Sequence, residues 1–240
     1  FSTIPCLAIV WALYLSFVVA GRDFLGFQWD ALLLETLALA LLIAPGRMRP
    51  SRCADVAVSK IGLAPLWLLV FHLMFASGIV KYRSADETWK HLAALDFHFE
   101  TQPLPTVAGW WVHQLPSWVH ALACGATLLI EIVMPFAIFL PRRARHCAAL
   151  AFIGLMLLIA ATGNYTFFNL LTIALATLLL DDGAWPRWLR SRFAATHRFA
   201  PSRVRIALLP FAALSIAMSV SLSVGAFQKL DLPDGSVAQL

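Results

Sequence analysis

Three ionisable side chains lie inside long apolar stretches of the sequence: Glu35, His72 and Glu131. A charged group in the hydrocarbon core of a membrane costs several kcal/mol unless it is paired or hydrated, so each is a candidate functional residue. A rise of about 1.5 Å per residue, counted from the outer end of each stretch, places them roughly 9, 13 and 19 Å deep. We expect His72 and Glu131 to pair, with Asn164 or Asn169 as a further partner. The same residues would also serve as hydrogen-bonding contacts that only hold helices together.

Lys81 is a fourth candidate, at the outer end of the apolar stretch that contains His72 and one turn after Ser77. Its ammonium would act as a base or a Schiff-base amine if other residues covered it. The simpler expectation is that the side chain extends along the helix to the headgroup region.

Four histidines fall on the outward side of the chain: His91, His98, His113 and His120. No two of them have the i, i+3 or i, i+4 spacing of a helical metal clamp, although His98 and Glu100 form an H-x-E. We therefore expect no metal site and no cofactor.

The composition explains why these residues stand out. The chain has 240 residues, a mean hydropathy of +0.78, 60% hydrophobic residues and only 13% charged residues, about half the charged fraction of a soluble domain. We predict an all-α, polytopic helical bundle, because about 20 apolar residues are needed to cross a membrane. About seven spans are expected, near residues 4–20, 29–44, 61–80, 118–140, 146–162, 165–180 and 205–226.

The lysines and arginines predict the orientation. Thirteen of the 18 lie in the 45–60, 141–146 and 181–204 loops and at their edges, which the positive-inside rule places in the cytoplasm. The net charge of +5 therefore reflects topology and contact with membrane lipids, and no nucleic-acid partner is expected. Leu, Ala and Arg richness suggests a bacterial inner membrane, or an endoplasmic reticulum membrane if the source is eukaryotic.

Residues 81–117, called the lid below, form a long outward segment between two spans. Ser84 and Glu87 match a capping box, so SADETWKHLAAL is predicted to begin a helix. The prolines make ETQPLP extended, and a second interfacial helix is expected to start at Thr106. We predict a helix, an extended strap and a helix over the outer mouth of the bundle. The expected lid and client surface is His98, Glu100, Gln102, Pro103, Pro105, Trp110, Trp111 and His113.

The domain organisation is predicted to be one transmembrane domain, residues 1–228, followed at 229–240 by the start of a missing extracytoplasmic portion. The four cysteines form no C-x-x-C pair, so neither a disulfide framework nor thiol chemistry is indicated.

Three blocks resemble the lipase maturation factor family: LLLETLALALLIAP at 32–45, the long block from Leu73 to Pro116 with its HFETQPLP core, and GNYTFFNLLTIALATLLLDD at 163–182. The resemblance implies a polytopic, chaperone-like protein that assists folding and assembly of secreted lipases or other exported clients, with no established catalytic residue.

A more distant similarity keeps an enzymatic alternative open. Gly78-Ile79-Val80-Lys81 followed by Trp89 resembles vitamin K-dependent γ-carboxylase-like membrane proteins. That resemblance implies an enzyme or ligand-binding protein with a polar pocket under residues 98–116 and Lys81, His72 and Glu131 as catalytic candidates.

Overall fold

The computed structural model describes residues 3–21, 24–25, 27–44, 60–102, 104–163, 165–188 and 217. Every regular element in these ranges is helical, which confirms the all-α prediction. The helices are α1 (Thr3–Gly21), α2 (Gln28–Ile43), α3 (Lys60–Arg83), α4 (Glu87–Lys90), α5 (Ala94–Thr101), α6 (Val107–His113), α7 (Ser117–Leu128), α8 (Arg142–Thr162) and α9 (Phe168–Thr177).

Four segments in the described ranges are long and apolar enough to cross a membrane: Thr3–Gly21, Gly62–Arg83, Ser117–Phe139 and Arg142–Thr162. The 10 residues of α9 rise only about 15 Å, half of a hydrocarbon core. The span predicted at 205–226 falls almost wholly outside the described residues, so the total of about seven stays a prediction.

The described part of one compact unit contains α1, α2 and the beginning of α3. The Tyr14 hydroxyl donates a hydrogen bond of 2.6 Å to Asp30, whose side chain is buried at the start of α2. This bond joins α1 to α2 inside an apolar environment, where an unpartnered carboxylate would be costly.

A second unit contains the rest of α3, the lid, and α7 to α9. Its core includes Met74, Phe152 and Leu175, all nearly inaccessible. Leu122 and Leu158 point outward from the unit, as expected of side chains that face lipid.

The span that begins with α7 changes its helical form halfway. A π-helical turn covers Leu129–Val133, and a 3₁₀ helix follows at Met134–Phe139. Pro135 explains the change, because it has no N–H to donate to the carbonyl of residue 131 and its ring crowds the preceding turn. The π turn carries Glu131.

Candidate functional site

Lys81 and Glu131 form an ion pair between α3 and the π turn. The Lys81 Nζ lies 2.8 Å from Oε1 and 2.7 Å from Oε2 of Glu131, so it donates to both carboxylate oxygens. The Glu131 side chain is only 4% exposed, whereas that of Lys81 is 27% exposed. A buried carboxylate with this geometry depends on its partner for compensation of its charge.

Gly78 lets the two elements approach closely enough for this pair to form. It lies one turn before Lys81 on α3. A Cβ at position 78 would lie 2.6 Å from Ile132 Cγ1, 2.8 Å from Glu131 Cβ and 3.0 Å from the Glu131 backbone carbon. Only a residue without a side chain fits against the π turn here.

Trp89 of the lid lies beside the ion pair. The Lys81 Nζ lies 5.6 Å from the centroid of the Trp89 ring, within the range of a cation–π contact. Burial, and secondarily the Lys81 charge, lower the pKa of His98 in α5. His98 is therefore held neutral over a wider pH range than a solvated histidine.

The strap after α5 is fixed to the last turn of α8. The Gln102 Nε2 donates to the carbonyl of Thr162 at 3.0 Å, and the Thr106 hydroxyl donates to the carbonyl of Ala161 at 2.8 Å. The final carbonyls of a helix have no partner within the helix, so these two side chains cap α8 from outside. Thr106 also caps the start of α6 by accepting a hydrogen bond from the Gly109 N–H.

Gly109 makes the contact between α6 and α8 possible. A Cβ at this position would lie 2.5 Å from the Thr162 carbonyl oxygen and 3.0 Å from Gln102 Nε2. The lid, which joins the end of α3 to the start of α7, thus also contacts the end of α8.

Two carboxylate–histidine pairs join α5 to the helices that follow it. Asp96 Oδ1 lies 2.7 Å from His120 Nδ1 on α7, and Glu100 Oε1 lies 2.9 Å from His113 Nε2 at the end of α6. The His113 and His120 rings are nearly parallel, with centroids 6.5 Å apart. In the first pair His120 is buried and Asp96 is 30% exposed, whereas in the second pair Glu100 is 64% exposed.

Comparison with known proteins identifies the family of this chain. The profile of the lipase maturation factor transmembrane domain matches residues 1–187. The chain belongs to the lipase maturation factor family. The match covers the ion pair, the whole lid and α9.

Individual lipase maturation factors agree with this assignment. The chain is 51% identical over 186 residues to lipase maturation factor 2 of Rattus norvegicus and 49% identical over 183 residues to that of Homo sapiens. Each alignment covers 72% of this chain and 26% of the relative. Lipase maturation factor 1 of Mus musculus is 33% identical over 175 residues, covering 73% of this chain and 30% of the relative. The chain thus spans about a quarter of the length of the first relatives, and no solved structure matches it.

The partner of Glu131 in this lipase maturation factor domain differs from the one expected. His72 was the predicted partner, and Lys81 was predicted to extend to the headgroups, but Lys81 occupies both oxygens of Glu131. The expected pairing assumed that the helices begin at one level, whereas α7 begins at Ser117 and its His120 already meets α5 of the lid. Glu131 consequently lies level with the outer end of α3, and His72 lies nine residues earlier along that helix.

One helix, an extended strap and one helix were predicted for the lid, but the structure has two helices, α4 and α5, before the strap and α6 after it. Ser84 does not form the predicted capping box, since its hydroxyl donates to the Lys81 carbonyl at the end of α3. Asp86 is the N-cap of α4, where its side chain accepts from the Thr88 N–H. Leu92, with φ of 57°, ends that short helix, and α5 continues through Thr101, so the extended strap starts only at Gln102.

The other predicted residues are distributed over both units. Glu35 lies on α2 in the first unit, and Asn169 is buried on α9 in the second. Asn164 and Pro103 lie outside the described residues. In the lid, Gln102 is buried against α8, whereas Glu100, Pro105, Trp110 and Trp111 are exposed.

The sequence analysis missed two polar residues that join helices in the structure, Asp30 and Asp96. Asp30 falls at the start of the predicted span at 29–44 and was not singled out, yet it is 2% exposed and bonded to Tyr14. The sequence contains one indication that Asp96 acts together with Glu100: it stands four residues earlier, so both carboxylates lie on the same face of a helix. Thr106 was predicted as the start of the second lid helix and is the N-cap of α6, but its contact with the end of α8 could not be predicted because it depends on tertiary packing.

Gly78→Ala is expected to weaken the ion pair without changing any charged residue. The added methyl group would overlap Glu131 and force the π turn away from α3, at a cost of about 1–3 kcal/mol typical of overpacking. The free energy of unfolding of the full chain in lipid bicelles measures this effect. Gly154→Ala on α8 is the matched control, because nothing lies within 4 Å of a Cβ there. Equal stability of the two variants would contradict the close contact at Gly78.

Proposed function

We propose that this chain is the membrane domain of a maturation factor that assists folding or assembly of exported clients, secreted lipases first among them. Membership of the lipase maturation factor family supports the role. In this proposal the lid faces the compartment in which clients fold, the bacterial periplasm or, in a eukaryote, the lumen of the endoplasmic reticulum.

The geometry of the lid is the observation that carries the client-binding part of the proposal. Its inner side is fixed to α8 by Gln102, Thr106 and Gly109, while its outer side exposes large apolar groups. Trp110 is 57% exposed and Trp111 is 64% exposed, with their ring centroids 4.8 Å apart. Rigid aromatic side chains on a fixed support lose little entropy on binding, so they suit a surface that receives a folding client.

A secretion assay tests this proposal. The full-length protein is expressed with a secreted lipase in cells that lack their own maturation factor, and lipase activity is measured per amount of secreted lipase. We expect Trp110→Ser with Trp111→Ser to lower this specific activity by about tenfold, as for truncated aromatic anchors of interfaces. Trp188→Ser is the control, because Trp188 is 66% exposed and lies outside the lid. Lid variants that accumulate normally and keep full activity would rule out this surface.

A membrane-embedded enzyme or ligand-binding protein is the second candidate function. The buried Lys81–Glu131 pair on a π turn favours it, because π turns and ionisable groups within spans are both enriched at functional sites. In the maturation-factor proposal, Lys81→Met and Glu131→Gln change stability but leave activity per folded molecule unchanged. Abolished activity in a folded Glu131→Gln protein would favour the enzymatic candidate, as would bound non-protein density beside the pair in a high-resolution map of the full chain.

A further inference from the structure

Two contacts fix the level of α4, the first helix of the lid, along the span that begins with α7. The Trp89 ring of α4 lies 5.6 Å from the Lys81 Nζ, which donates to Glu131. Just after α4, Leu92 Cδ1 lies 4.0 Å from the position that a Cβ on Gly125 would occupy. Helix α4 is therefore level with the part of the span between Gly125 and Glu131, and not with its outward end.

This level lies inside the thickness of a membrane. Gly125 and Glu131 follow Ser117, the first residue of α7, by 8 and 14 positions, a rise of about 12–21 Å. In the other direction, Pro141 follows them by 16 and 10 positions, a rise of about 15–24 Å, and the arginines of α8 come directly after it. Charged arginines mark the boundary of a hydrocarbon core that is about 30 Å thick, so the core extends roughly 10 Å outward beyond the level of α4.

The outward half of α7 has the composition and the exposure of a lipid-facing helix. Residues 101–130 contain no Asp, Glu, Lys or Arg. Leu122 is 65% exposed and Leu129 is 55% exposed, and Leu129 falls between Gly125 and Glu131, at the level of α4. Trp118, in the first turn of α7, is 66% exposed, as is typical of tryptophan at the border between membrane and water. This border agrees with the thickness counted from the arginines.

On the lid side, the same level carries exposed charges. The Glu87 side chain of α4 is 61% exposed and that of Lys90 is 41% exposed, although the two are paired at 2.7 Å. Asp86, the N-cap of α4, is exposed as well. Charged side chains are strongly disfavoured in contact with hydrocarbon, whereas leucines are favoured there. Leu129 on one side and Glu87 on the other therefore cannot both face lipid.

We propose that water enters the outward half of the membrane on the lid side of α7 and reaches α4. This aqueous recess is roughly 10 Å deep and ends at the Lys81–Glu131 pair, where the Lys81 side chain is 27% exposed. It admits small hydrophilic molecules from the outward compartment, while lipid occupies the opposite side of α7. The recess does not depend on client binding, and it gives the second candidate function a route by which a polar ligand would reach Lys81.

Substituted-cysteine accessibility tests the recess in the full chain, reconstituted in nanodiscs of phosphatidylcholine. The reagent is a methanethiosulfonate that carries a trimethylammonium group, which dissolves in water and is excluded from hydrocarbon. Glu87→Cys and Lys90→Cys probe the lid side, and Leu122→Cys and Leu129→Cys probe the lipid-facing side of α7. All four side chains are exposed, so no substitution removes a packed group. The rate of modification at each introduced cysteine is measured by peptide mass spectrometry, which separates it from the natural cysteines.

We expect Glu87→Cys and Lys90→Cys to react about a hundredfold faster than Leu129→Cys, because the cost of bringing a charged reagent into lipid corresponds to about that factor. Leu122→Cys should be as slow as Leu129→Cys, although it lies about 5–14 Å nearer to the outward end of the span than α4 does. The order of reactivity would then be the reverse of the order of depth, which a lid lying above the membrane does not produce.

Two results would overturn the proposal. Rapid reaction of Leu122→Cys and Leu129→Cys would mean that the membrane ends below α4 and that the outward half of α7 lies in water. Reaction of Glu87→Cys and Lys90→Cys as slow as that of Leu129→Cys would mean that α4 is covered and that no water reaches it. Neither result changes the outcome expected in the secretion assay, so failure of the recess and failure of the client-binding proposal can be told apart.

Discussion

Lys81→Met is expected to lower the free energy of unfolding of the full chain by about 2–4 kcal/mol, because it leaves the Glu131 carboxylate buried without a counter-charge. Glu131→Gln should cost less, about 1–2 kcal/mol, since the ammonium that remains is 27% exposed and can still be hydrated. The order of the two effects follows from which partner is buried. Denaturant titration in lipid bicelles measures both.

The double variant Lys81→Met with Glu131→Gln distinguishes charge pairing from packing. It should be more stable than Lys81→Met alone, because it removes the uncompensated charge that the single change creates. Lys90→Met is the control: Lys90 pairs with Glu87 at 2.7 Å, but both side chains are largely exposed, so the expected loss is about 0–1 kcal/mol. If Lys81→Met cost no more than Lys90→Met, the buried pair would not support the fold.

The residues at this site show which inferences sequence alone permits. The apolar stretches predicted the membrane helices, and the unusual Lys81 and Glu131 were both singled out as polar groups that need an explanation. Their pairing was not predicted, because rise per residue gives depth only if the helices begin at the same level. The first turn of α7 packs against the lid, with His120 against Asp96, so α7 does not begin at the same level as the end of α3. This offset between the helices is set by tertiary packing.

The lid illustrates the same limit at shorter range. Proline and capping chemistry predicted a strap between two helices, but Asp86 replaced Ser84 as the cap because Ser84 bonds backward to Lys81. The role of Gln102 could not be read from its neighbours, since the carbonyl it caps belongs to Thr162, sixty positions later. Local sequence signals therefore predicted where the helices and the strap lie, whereas the contacts that hold the lid in place could be seen only in the folded structure.

Gly109→Ala is expected to detach the strap and α6 from the end of α8. The new methyl group would lie 2.5 Å from the Thr162 carbonyl oxygen, and that backbone atom cannot move aside as a flexible side chain could. The lid must shift instead, which breaks the Gln102 hydrogen bond and leaves a partly buried carbonyl unpaired, at a cost of about 1–3 kcal/mol. Chymotrypsin cleavage next to the exposed Phe97, Leu104 and Trp110 should then become about tenfold faster at equal protease concentration.

Gly125→Ala is the matched control for this digestion, because a Cβ there meets only Leu92 Cδ1 at 4.0 Å. Gln102→Leu tests the same contact between the strap and the end of α8, since it removes the donor to the Thr162 carbonyl while adding no atoms to α6. Faster cleavage in Gly109→Ala and Gln102→Leu, with Gly125→Ala unchanged, would show that the end of α8 holds the lid in place. If Gly109→Ala were cleaved no faster than Gly125→Ala, the lid would be held mainly by α5 through Asp96 and His120, and the strap would act only as a connection.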